Sequence, residues 1–261
     1  MTNAIHTKRF QVRAVDIDQS GRLQPVIFMD YLLESASEQA AIFGLAVTDL
    51  FAKGRTWVLS RFHVEFLHYP AWGESVEINT WPSDKLPLFA LRDFEVKDDQ
   101  GIAARATSSW LIVDLATRRP IRTSEHLENF PQLDRRAVKD DFASLPAPSR
   151  EDIRREFPVF FSDLDLNRHV TATVYAHRAM ETVPEDVLFG FRPVSIEVNF
   201  RAEAFYGDTI VSRAERIEAP ENSGETENIR RPTLASFLHR LSRAADDKEL
   251  TLLQTSWGKI E

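Results

Sequence analysis

The chain has 261 residues, 43% hydrophobic and 28% charged, with a formal net charge of −8 at pH 7. That length supports one large or two modest domains with real cores, and the negative balance argues against broad binding to nucleic acid or an anionic membrane. Cysteine is absent, which excludes disulfides, thiolate catalysis and cysteine-ligated metals and fits a reducing cytoplasm.

Residues 1–9 lack the apolar core of a signal peptide, and no later run approaches the roughly 18 apolar residues of a membrane span. A cytoplasmic chain without stable membrane insertion is expected. An opening strand reads at 9–15, followed by a turn and a helix. Pro25 suits the first helical turn, where a missing N–H is no loss. Phe28, Tyr31, Leu32, Ser35 and Ala36 recur at helical spacing and form one stripe, and Gly44 suits the stop. Runs rich in β-branched and aromatic residues at 57–66, 75–81, 89–96 and 102–113 read as strands. Residues 122–152, rich in Pro, Ser and charge, read as a connector with some helix. The plan then recurs: a strand at 156–161, a helix from about Val170 to Thr182 that halts before Pro184, and strands at 194–200, 209–217, 234–242 and 250–259. A polar insertion at 219–233 reads as a mobile loop.

The recurrence extends to individual residues. Residues 16–34, DIDQSGRLQPVIFMDYLLE, align without gaps on 163–181, DLDLNRHVTATVYAHRAME, at an offset of 147 (163 − 16). Asp16 meets Asp163, Asp18 meets Asp165 and Phe28 meets Tyr175. Residues 64–76 align on 198–210 at an offset of 134 (198 − 64), so that Trp-Gly-Glu becomes Tyr-Gly-Asp. Ser108-Ser109-Trp110 matches Thr255-Ser256-Trp257, again at 147. The implied organisation is an N-terminal unit at 1–125, a linker at 126–150 and a C-terminal unit at 151–261, each an α+β unit whose sheet covers a helix.

A duplicated fold keeps its core in both copies, whereas chemistry need survive in only one. Asn167 and His169 face Ser20 and Arg22, and Glu203 faces Tyr69. With Asp165 they make a polar set that belongs to the second copy. Asp165, Asn167 and His169 alternate, so an extended path would turn them to one side. The helix beginning just beyond offers amides suited to an oxyanion. The spacing from Asp163 resembles the start of an EF-hand, but Arg168 replaces its glycine and Val174 its final glutamate. No metal and no cofactor is expected. Asp163 reads as a helix cap, and His63, His68, His177 and His239 read as structural or exposed.

At these residues the chain resembles the acyl-ACP thioesterase family of plant plastids and bacteria. Asp165-Leu-Asn167-Arg-His169-Val170 resembles the D-x-N-x-H-V motif of that family, and Phe200-Arg-Ala-Glu203 the strand ending in its catalytic glutamate. In the first copy Trp57-Val-Leu-Ser-Arg61, Tyr69-Pro-Ala-Trp-Gly-Glu74, Thr80-Trp-Pro82, Arg105-Ala-Thr-Ser-Ser-Trp110 and Thr117-Arg-Arg119 resemble family signatures. Thr171 and Ala172 stand where plant members have two asparagines, and Ala204 where many have a cysteine. The absence of a transit segment makes the chain look bacterial. The resemblance implies a tandem double hotdog that hydrolyses fatty acyl-[acyl carrier protein] and ends chain elongation. It implies Asp165, Asn167, His169 and Glu203 as catalytic, with either Glu203 and His169 activating water or Asp165 attacking to form an anhydride. The acyl chain would lie between helix and sheet of the first copy, along Phe28, Tyr31, Leu32 and Trp57. Arg118, Arg119, Arg122, Arg230, Arg231, Arg240 and Arg243 are candidate contacts for the acidic carrier protein. An acyl-CoA thioesterase and a non-catalytic acyl-chain binder are the rival readings. Monomer and homodimer both remain open.

Overall fold

The computed structural model describes residues 4–127, 130–218 and 233–259. It divides into two compact units, Met1–Phe142 and Ala143–Glu261. The first contains β1 (His6–Gln11), α1 (Pro25–Ile42), α2 (Val47–Phe51), β2 (Arg55–Phe66), β3 (Ser75–Lys85), β4 (Phe89–Asp98), β5 (Gly101–Asp114) and β6 (Arg119–Ile121). The second contains β7 (Ile153–Pro158), α3 (Ala172–Met180), α4 (Glu185–Gly190), β8 (Arg192–Phe200), β9 (Thr209–Ile217), β10 (Ala235–Arg243) and β11 (Glu249–Gly258).

The strands of the first unit run in the order β1-β3-β4-β5-β2, with β6 on β5, and those of the second in the order β8-β11-β10-β9-β7. All these pairings are antiparallel. The two orders are the same topology. Helix α1 packs on β1 and β3, and α3 packs on β9, β10 and β11. Each unit is therefore an antiparallel sheet over a helix, the hotdog arrangement expected of an α+β repeat.

Pro25 opens α1, and Phe28, Tyr31, Leu32, Ser35 and Ala36 are buried along it as the stripe requires. The helix ends where Gly44 takes φ +67 and donates its N–H to Ala41. That left-handed conformation suits a residue without Cβ. Apolar residues beyond the helix end, Leu45 and Leu50, join Ile112, Leu127 and Phe130 in one buried cluster. In the second unit Val183, Val187, Phe237 and Trp257 form the corresponding cluster at the helix end.

Three expectations shift. Helix α3 starts at Ala172, two residues after Val170, because Val170 pairs with Leu164 in an isolated bridge. Pro184 does halt the preceding segment, but it also stands at the N-cap of α4, a position that suits a residue with fixed φ and no need of its N–H. The segment expected as a linker has fixed partners in both units. Leu127, Phe130 and Val138 are buried, Trp81 donates its indole N–H to the Arg135 carbonyl at 2.7 Å, and Ser149 is held by Glu215. Polar composition masks the few apolar anchors that decide its course. The expected loop at 219–233, apart from Thr233, lies outside the described residues.

Candidate functional site: a bridged loop in the second unit

Between β7 and α3 the chain makes a tight loop. Leu164 bridges Val170, Asp165 donates its N–H to the His169 carbonyl at 2.8 Å, and Arg168 adopts φ +62 at the turn. The expected extended path, with three side chains on one side, is thus replaced by a reversal. Its cause is the Asp165 carboxylate, which folds back over its own loop. Oδ1 accepts the N–H groups of Asn167 (2.8 Å) and His169 (3.1 Å), and Oδ2 accepts the Asn167 amide at 3.1 Å. Side-chain bonding to nearby amides is the habit of Asp in turns. Asp163 does cap, but its target is the short turn Phe161–Asp163 ahead of the loop. Its Oδ2 accepts the Phe160 N–H at 2.9 Å, and Arg178 of α3 lies 3.5 Å away.

The loop is stitched to the segment after β8. Val170 donates to the Ala204 carbonyl at 3.0 Å, and His169 bridges Phe205. That stitching brings Glu203 to the loop: its Oε1 is 3.1 Å from His169 Nδ1, with the two side chains 37% and 18% exposed. Phe205 meets the His169 ring edge-on at 5.0 Å, which holds the imidazole plane. All four residues singled out in the second copy therefore converge on one place. Nδ1 protonation, inferred from the carboxylate partner, leaves Nε2 as the basic nitrogen. A carboxylate–imidazole pair of this kind can take a proton from water or a hydroxyl.

The first copy has the same loop with different side chains. Ile17 bridges Leu23, Arg22 bridges Ala71, and Gly21 takes φ +76 where Arg168 takes φ +62. Ser20 donates to Asp18 Oδ1 from both its N–H (2.9 Å) and its hydroxyl (2.8 Å), as Asn167 does to Asp165. Asp16 is held by the Tyr31 hydroxyl at 2.6 Å and by Arg13. Hydrogen bonding to Arg13 holds its carboxyl well below the usual range, at about 2. Asp18 and Asp165 thus share the job of shaping a loop. Only the second loop adds an imidazole and a carboxylate.

The residues proposed for the acyl chain fall in two places. Phe28, Tyr31 and Leu32 share the buried face of α1. Phe28 meets Phe66 and Tyr69 edge-on at 5.4 and 6.1 Å, and Tyr31 stacks on Phe10 at 4.2 Å. Trp57 lies with Phe43 beyond the helix end, facing Trp110 edge-on at 6.3 Å and donating to the Leu45 carbonyl at 2.9 Å. Among the arginines, Arg240 pairs with Asp247 at 3.0 Å, and Arg243 with Asp246 at 3.3 Å. Arg230 and Arg231 lie outside the described residues.

Sequence reasoning passed over several groups. Tyr175 of α3 is buried and its hydroxyl accepts the Ala204 N–H at 3.0 Å, pinning the residue next to Glu203. Burial first, then the nearby carboxylates of Glu203, Asp208 and Asp165, push its hydroxyl pKa up, so it stays protonated. The signal was its pairing with Phe28, which lacks the hydroxyl. His63 and His68 have carboxylate partners after all, Asp140 and Asp98, each at 2.7 Å. Arg92 is buried on β4, donating to Gln39 (2.6 Å) and Thr80 (3.0 Å), and burial pulls its pKa down to about 9.

Comparison with known proteins bears on the family and the fold. The family profile for the acyl-ACP thioesterase N-terminal domain matches residues 3–129, and that for the C-terminal domain matches residues 147–259. An oleoyl-acyl carrier protein thioesterase of Arabidopsis thaliana is 26% identical over 278 residues, covering 97% of this chain and 76% of that protein. The crystal structure of an acyl-ACP thioesterase from Bacteroides thetaiotaomicron shares the fold with a TM-score of 0.82 at 22% identity, over 97% of this chain and 98% of that one. The 12:0-ACP thioesterase from Umbellularia californica does so with a TM-score of 0.83 at 21% identity, over 98% of this chain and 95% of that one. With both domain profiles matched in order along nearly its whole length, the chain belongs to the acyl-ACP thioesterase family.

Proposed function

We propose that the protein hydrolyses the thioester linking a fatty acyl chain to acyl carrier protein, releasing free fatty acid and ending elongation, with the reaction centre in the second unit. The observation that carries this reading is the 3.1 Å contact between His169 Nδ1 and Glu203 Oε1, set on a loop whose first-copy counterparts are Arg22 and Tyr69. In this reading Glu203 orients the ring and supports its positive charge, and Nε2 takes a proton from water. The water oxygen bonds to the thioester carbonyl carbon, with Asn167 and the amides at the start of α3 serving the oxyanion. The carbon–sulfur bond then breaks, and the imidazolium returns its proton to the departing thiolate.

Asp165 favours this route over anhydride formation. Its carboxylate already accepts three hydrogen bonds from its own loop, which commits its lone pairs to holding Asn167 and His169 and lowers its nucleophilicity. We assign it as a positioning residue for both.

The acyl tail is proposed to lie along α1 in the first unit, with Phe28, Tyr31, Leu32 and Trp57 as its surroundings. Helix length supports the choice: α1 has 18 residues and α3 has 9, about 27 Å against about 14 Å. Among the described residues no helix is long and apolar enough to cross a membrane, and a cysteine-free chain suits the cytoplasm we propose for it. Release of thiol from one acyl chain carried on acyl carrier protein and on CoA tests the substrate. Clear preference for the carrier supports the reading, and clear preference for CoA overturns it.

A further inference from the structure

The second-unit loop is ringed by apolar side chains that face solvent. Phe160 is 54% exposed, Phe161 82%, Leu166 65% and Tyr206 69%. At about 200 Å² per large side chain, the four together expose on the order of 500 Å² of surface. They come from three segments tied together around the site. Val159 donates to the Asp208 carbonyl at 2.9 Å, Phe205 donates to Asp208 Oδ2 at 2.9 Å, and His169 bridges Phe205. Leu166 itself sits between Asp165 and Asn167.

The repeat provides the control. At the same offsets the first copy carries Arg13, Ala14 and Gln19 in place of Phe160, Phe161 and Leu166. The loop geometry is kept there, so these three apolar residues are not needed to build it. They accompany the catalytic set. Only Tyr206 has an aromatic counterpart, Trp72.

We infer that this apolar collar is the docking surface for the acyl carrier protein. The inference rests on the reading that the thioester arrives tethered to that carrier. A tethered substrate brings its carrier to the rim of the reaction centre, and the collar is that rim. A permanent subunit seated there would close over Asp165 and His169, so the occupant must come and go. With the chain itself at net charge −8, short-range apolar burial is a better source of affinity for an acidic partner than the overall field.

The test replaces Phe161 and Leu166 by the residues of the first copy, Phe161→Ala and Leu166→Gln, with Tyr206→Ser as an independent variant. Steady-state hydrolysis is measured on an acyl carrier protein and on the matching acyl-pantetheine, which has the arm without the carrier. The expected result is a KM on the carrier raised about tenfold or more, with kcat unchanged and acyl-pantetheine turnover within about twofold of wild type. Unchanged KM on the carrier, or equal loss on both substrates, overturns the inference. So does sedimentation in which the wild type is a dimer that the variants dissociate while carrier KM stays constant. Wild-type enzyme that turns over acyl-pantetheine but not the acyl carrier refutes the substrate reading, and the docking surface falls with it.

Discussion

Replacing Glu203 by Gln removes one charge from the site and little else. The side chain keeps its size and an oxygen that can still accept from His169 Nδ1 at the present 3.1 Å. What is lost is the negative charge that supports the imidazolium when Nε2 takes the water proton. Glu203 acts through His169, and a positioned general base contributes about 10²–10⁴ in rate in all; at about 1.4 kcal/mol per tenfold the barrier should rise by up to about 3–5 kcal/mol. Stability should hardly change. Both side chains are partly open to water, and exposed pairs contribute only about 0–1 kcal/mol, or a few degrees at most in the melting midpoint. The assay is thiol release from an acyl carrier protein, run beside thermal unfolding of the same preparation. A folded Glu203→Gln enzyme that keeps more than about a tenth of wild-type kcat would refute the role given to the carboxylate.

Tyr175→Phe leaves the buried Ala204 amide without its hydroxyl partner, a cost of about 1–3 kcal/mol, and should lower kcat more than KM. Chemical denaturation and steady-state kinetics check both, and unchanged values on both would remove Tyr175 from the support of Glu203. Arg168→Gly relieves a left-handed conformation that Gly21 already occupies in the first copy; stability should hold or rise by up to about 1 kcal/mol. Acyl-pantetheine turnover should be kept, and its loss in a folded variant would make the Arg168 side chain a participant in the reaction. Burial pushes His239, held by Thr182 and Thr255, from 6.5 down to about 3. The unfolded chain therefore takes up that proton first as the pH falls. This contribution is complete above about pH 6.5 and lost by up to about 1.4 kcal/mol per unit on the way to about pH 3. An NMR titration should find the His239 ring neutral in the folded protein at pH 5; a ring protonated there contradicts the burial argument.

Much of the fold was legible because local chemistry and tertiary packing agree. Pro25 and Gly44 bracket α1, and the stripe between them needs only a sheet to cover it. Strand ends were harder. β3 runs past Trp81 to Lys85 by way of an irregularity between Pro82 and Asp84, which a proline normally argues against. The site was legible in its residue types but not in its shape. Asn167, His169 and Glu203 stand out through comparison of the two copies, whereas Asp165 is shared with Asp18 and its back-folded carboxylate depends on three dimensions. The pairings His63–Asp140 and His68–Asp98 join residues far apart in the chain, and no spacing rule connects them.

The two copies share a loop, and the proposed chemistry belongs to the second alone. The decisive experiment gives the second loop the residues of the first, Asn167→Ser, His169→Arg and Glu203→Tyr together, and follows thiol release from an acyl carrier protein. Ser20 and Arg22 already sit in such a loop, held by Asp18 and by the Tyr69 carbonyl, so the fold should persist. The expected result is hydrolysis by the wild type and a fall to background in the variant. Wild-type-like release by the folded variant would place the reaction elsewhere than at Asn167, His169 and Glu203.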